Sequence, residues 1–128
     1  WREFQDLVSW ANLGREERHA MAILLILRDL GKNVAFLKAM PLGSRSEEEV
    51  VILLVRYMSS QVPSVQSLSQ SQIAFIEQSL RALSVFNLAQ FLQGENVPFC
   101  VSRFQTIMME YGDRVFKFSL LAYTCLMG

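Results

Sequence analysis

The stretch Ala20–Leu27 reads Ala-Met-Ala-Ile-Leu-Leu-Ile-Leu, eight apolar residues in succession without a glycine, a proline or a charge. Run length alone allows a buried strand or the middle of a buried helix. The flanks decide. Arg15-Glu16-Glu17-Arg18 before it and Arg28-Asp29 after it are strong helix formers, and the pattern continues through Leu30. A helix apolar on every side needs neighbours on every side. The expectation is therefore an all-α fold of six to eight helices, in an irregular bundle or as stacked helix pairs of helical-repeat type, with this run at its centre.

Glycine and proline divide the remainder. Trp1–Leu13 carries Phe4, Leu7, Val8 and Ala11 at helical spacing and stops before Gly14. The second helix runs from Arg15 to Leu30, with Glu16 and Glu17 where its N-terminal dipole favours them. A short third helix is expected over Asn33–Met40, closed by Pro41 and Gly43. Ser46 with Glu49 three residues on is a capping box ahead of Val50–Val55, so a fourth helix should span Glu47–Ser59. The β-branched content of that core leaves a strand as the alternative.

Ser59–Ser71 is rich in Ser and Gln and holds Pro63. It reads as a linker, a sub-boundary within one domain covering 1–128. Gln72–Gln93 resumes helical spacing, with Asn87 as an interruption, and Gly94-Glu95-Asn96 forms a turn. Pro98 sits where a helix begins, Phe99–Tyr111 follows, Gly112 stops it, and Asp113 caps a last helix, Arg114–Met127.

Ionic groups are few and unevenly spread. Hydrophobic residues make up 52% and charged residues 19%, against a usual 45–50% and about 25%. Residues 1–58 hold 16 charged side chains and residues 59–128 hold 8. The second half must cover its surface with Ser, Gln and Asn, or against another molecule. A formal net charge of zero supplies no basic stripe for a phosphate backbone, which disfavours nucleic acid as a partner. No stretch reaches the roughly 18 apolar residues of a membrane span; Phe116–Met127 comes closest, and Lys117 interrupts it. With no signal peptide, and Trp1 in place of Met, the chain reads as a fragment or subunit of a larger intracellular assembly, cytoplasmic or organellar.

Catalytic constellations are missing. His19 is the single histidine, and Asp29 lies too far along the same helix to orient it. The carboxylates gather as Glu16-Glu17 and Glu47-Glu48-Glu49 at helix starts, where the dipole explains them. The six glycines stand singly, so no phosphate loop forms. Ser9, Ser79, Ser119 and Thr124 fall within helices, away from the sharp turn of a nucleophilic serine. Cys100 and Cys125 read as small buried hydrophobes, although Arg103 one turn from Cys100 would activate an exposed thiol. Two Cys and one His give no zinc spacing. The expectation is a non-enzymatic protein with no metal and no cofactor.

What remains is an interaction surface. Met108, Met109, Tyr111, Phe116, Phe118 and Tyr123 crowd the last residues, and flexible Met with rigid aromatics is what such surfaces use. Phe116 and Phe118, two apart, point to different helix faces, so one core should not easily bury both. On this reading the chain is a protein-interaction or scaffolding module that binds another protein or a second copy through an apolar helix face. Phe118→Asp should then impair association with modest loss of helix.

Ser79–Phe86 and Ser119–Leu126 share Ser, Leu and Ala in register, forty residues apart. That echo resembles the organellar helical-repeat proteins, some of which bind RNA. It implies stacked helix pairs, and gives the alternative function, a segment of an RNA-binding helical repeat; the basic inner face of such members has no counterpart here. Leu27-Arg28-Asp29-Leu30-Gly31 is similar to the short death motif of the B-cell-lymphoma-type apoptosis regulators, and Tyr111–Val115 to their groove motif. Those proteins place an Asp after the Gly; this chain has Lys32.

Overall fold

In the computed structural model, which describes residues 1–33, 35, 47–57, 60, 62–84 and 88–127, the chain is all-α. Among those residues eight helices follow one another: α1 (Arg2–Ala11), α2 (Arg15–Gly31), α3 (Glu47–Tyr57), α4 (Pro63–Gln66), α5 (Gln70–Ser84), α6 (Leu88–Leu92), α7 (Val97–Tyr111) and α8 (Asp113–Met127). The expected helix over 33–40, the Ser46 capping residue and the Asn87 interruption lie outside the described residues. None of the described helices is long and apolar enough to cross a membrane.

The helices form two compact units, one of Trp1–Gly14 with Gln78–Gly128 and one of Arg15–Glu77. The Ser/Gln stretch 59–71 lies inside the second unit, and part of it is helical: Pro63 opens α4 as its first residue. A proline there loses nothing, because the first N–H of a helix has no partner within it.

In the unit Arg15–Glu77, α2 packs on α3. Ala20, Met21, Ile23, Leu24 and Leu27 are buried, and Val50, Val51, Leu54 and Val55 meet the core from α3 at helical spacing. Burial on that face overrides the β-branched propensity of α3, and each Leu or Ile buried in this way contributes about 1.5–3 kcal/mol. The Ala20–Leu27 run is not enclosed on all sides. Ala22 is exposed and Ile26 is 60% exposed, both on the side of α2 away from the buried face. Arg28 meets Glu48 of α3 at 3.7 Å, both largely covered, and Arg56 of α3 pairs with Glu77 of α5.

In the other unit, α8 has partners on two sides, packing on both α1 and α7, while α6 packs on α7. Four rings run edge to face through it. Phe91 meets Phe104 at 5.3 Å, Phe104 meets Phe116 at 5.3 Å and Phe116 meets Trp10 at 6.5 Å, each pair within a few degrees of perpendicular. Each such contact adds about 0.5–1.5 kcal/mol beyond the area it buries. Arg114 of α8 closes the end of α1, its guanidinium donating to the carbonyls of Ala11 at 3.3 Å and Asn12 at 3.2 Å. Asn12 itself is left-handed at φ 45°, a conformation Asn tolerates better than most residues. At the far end of α7, Gly112 takes φ 88°, where a side chain would be strained. Asp113 is the first residue of α8 rather than its cap.

Candidate functional site

Of the six residues singled out from the sequence as a binding surface, the structure leaves two exposed, Met108 at 44% and Met109 at 88%. Tyr111, Phe116 and Tyr123 are half-buried. Phe118 is fully buried and is among the largest side chains with no solvent contact. It is therefore core, and the expectation of Phe118 as a contact residue is corrected. Phe116 and Phe118 both turn inward, the first half-buried and the second completely, for a simple reason. Helix α8 is covered by α1 on one side and α7 on another, so two of its faces are interior.

The apolar surface left open lies on α7. Val97, Val101 and Met108, at steps of four and seven residues, form a line along its outer face, at 36%, 42% and 44% exposure. Met109 stands beside this line, and Phe99, 48% exposed, occupies the opposite flank under the guanidinium of Arg103 at 4.9 Å from the ring centroid. The inner face holds Cys100 and Ile107, both buried. Arg103 and Glu110 are the only charged residues of α7, so little on this helix keeps its outer surface wet. Val97, Phe99 and Val101 were not anticipated; the signal was a helix whose apolar residues occupy nearly the whole circumference.

A polar cluster forms at the start of α2 and of α5, within one unit. Ser69 and Gln72 make a capping box: the Gln72 amide N–H donates to Ser69 Oγ at 3.2 Å, and the Ser69 N–H donates to Gln72 Oε1 at 2.8 Å. Gln72, 8% exposed, also donates from Nε2 to the Glu16 carbonyl at 2.9 Å. The same Nε2 faces His19 Nδ1 at 3.5 Å, while His19 Nε2 lies 3.4 Å from Ser67 Oγ.

The pairing of His19 with Ser67 has the composition of a nucleophile and its base, and the hydrogen-bond directions argue against that use. Gln72 presents an N–H to Nδ1, so Nδ1 accepts and the ring proton belongs on Nε2. Nε2–H then donates to Ser67, whose own hydroxyl donates to the Ser64 carbonyl at 2.8 Å. A base must receive the serine proton at that nitrogen. The cluster ties α2 to the α4–α5 segment, and it was invisible from the spacing along the chain.

Neither thiol is bonded to the other; both are free cysteines. Arg103 stacks on Phe99, and Cys100 is buried. Burial pushes the Cys125 thiol above its ordinary value of 9.0. Burial also raises the Tyr111 phenol above 10.0, helped by the charge and hydrogen bond of Glu110 and opposed by the charge of Arg81. Among the described residues no group of three or more His, Cys, Asp or Glu is placed to hold a metal ion.

A family model described as a family of unknown function (DUF6829) matches residues 1–125. No curated protein and no solved structure matches the chain.

Proposed function

The chain belongs to the DUF6829 family of unknown function, and from that starting point we propose that it is a non-enzymatic interaction module that docks a protein partner along the outer face of α7. The observation that carries this reading is the exposed line of Val97, Val101 and Met108 along one helix, with Met109 beside it. Contiguous apolar surface rimmed by polar residues is what protein contact sites leave open. Gln105, Ser102 and Thr106 border the Val97, Val101 and Met108 line on the exposed surface and separate it from Phe99. Partner binding buries the line of Val97, Val101 and Met108 as a helix-face anchor, with Met109 adapting to the surface it meets.

The test pairs wild type with Val101→Asp/Met109→Asp. Light scattering across micromolar to millimolar protein, and affinity capture followed by identification of a stoichiometric partner, should both respond to the double substitution while the circular dichroism spectrum stays unchanged. A wild-type protein that remains monomeric at millimolar concentration and retains no partner through α7 would overturn the reading. Salt-sensitive retention on RNA instead would favour the helical-repeat alternative.

A further inference from the structure

We propose that a cleft between α5, α7 and α8 binds a slender neutral molecule, an unbranched alcohol or carbonyl compound, whose polar group bonds the hydroxyl of Ser119. Ser119 is 5% exposed, and its Oγ has no hydrogen-bond partner among the described residues. A helical serine or threonine ordinarily turns its hydroxyl onto the carbonyl four residues back. Thr124 does so on the same helix, to Leu120 at 2.9 Å, and Thr106 does so on α7, to Ser102 at 3.0 Å. Ser119 does not. Its hydroxyl has been taken out of water without compensation.

Ser119 lines a cavity of about 20 Å³ within a cleft that opens to solvent. The cavity admits about one water-sized group. The other walls are the buried Ala82, Leu83 and Ile107 and the half-buried Phe104, Phe116, Leu120 and Tyr123. A water there would find too few partners, because a buried water uses about three. A hydroxyl or carbonyl oxygen carried on an alkyl chain needs only the one bond, and the chain replaces water along the apolar walls. Among the described residues no cation lines the cleft, so a carboxylate would lose its hydration for nothing and stays outside. Phe104 and Phe116 lock each other edge to face at 5.3 Å. Widening therefore falls to Leu120 and Tyr123, which suits a chain better than a ring.

The experiment titrates 1-hexanol, cyclohexanol and hexanoate separately into the isotopically labelled protein and follows amide and methyl resonances, with thermal unfolding in parallel. Expected are saturable shifts for 1-hexanol confined to residues of the cleft, a weaker response to cyclohexanol and none to hexanoate. Ser119→Ala should raise the melting temperature of the free protein, since it removes an uncompensated hydroxyl, and weaken hexanol binding about five- to tenfold, the worth of one neutral hydrogen bond. Leu120→Trp, at a half-buried wall position, should abolish hexanol binding while the protein stays folded. Absence of localised shifts at 10 mM hexanol overturns the proposal. So does unchanged affinity in Ser119→Ala, or a lowered melting temperature for that variant, which would place the hydroxyl on its own helix backbone.

Discussion

Phe118 separates two readings of one residue by a large margin. Fully buried in the unit that α1, α7 and α8 share, it should cost about 3–5 kcal/mol when cut to alanine, the range for a core phenylalanine. A urea titration reads this as a shift in midpoint at unchanged slope. A loss under 1 kcal/mol would return Phe118 to the surface. Cys125 gives a second test: with its thiol pushed above 9.0 by burial, it should react with a disulfide reagent at pH 8 more slowly than a free cysteine. The linkage has a definite sign. In the folded state Cys125 and Tyr111 hold their protons to higher pH than in the unfolded chain. Their contribution is intact below the unfolded values of 9.0 and 10.0 and is lost as pH rises through the folded ones.

At the scale of elements, the ends of helices are held by side chains far away in sequence as well as by local ones. Ser69→Ala removes the acceptor for the Gln72 N–H and should cost about 0.5–2 kcal/mol, seen as faster exchange of the first amides of α5. The Ser-x-x-Gln pattern of that capping box straddled the end of the stretch read as a linker, with Ser69 inside it and Gln72 just beyond, and Pro63 and the many serines masked it. Arg114→Ala should fray the last turn of α1, since the Ala11 and Asn12 carbonyls lose their donor; rapid exchange confined to α1 is the expected signature. His19 should show the tautomer with its proton on Nε2 in a nitrogen-detected spectrum. A proton on Nδ1 would remove the objection to Ser67 as a nucleophile.

For the whole molecule, stability and association should separate. Val101 and Met109 face solvent, so Val101→Asp/Met109→Asp should leave unfolding free energy within about 1 kcal/mol, two surface changes of about 0.5 each, while changing association. Loss of folding would show that α7 is covered in a way its exposure belies.

Helix type and stopping points belonged to the sequence, because they are local. Apolar residues at three- and four-residue steps, Gly112 at positive φ and Pro98 in a first turn act within a few residues of themselves. Which face of a helix is interior is a different kind of fact. Ile26 looks as apolar as Leu24, yet one is 60% exposed and the other not at all. Phe116 and Phe118 could both go inward only because α8 acquired α1 and α7 as neighbours. His19 met Ser67 and Gln72 across 48 and 53 residues of chain. A residue carries its own propensity and polarity, but burial and hydrogen-bond partners are supplied by segments remote along the chain, and those only the tertiary structure assembles.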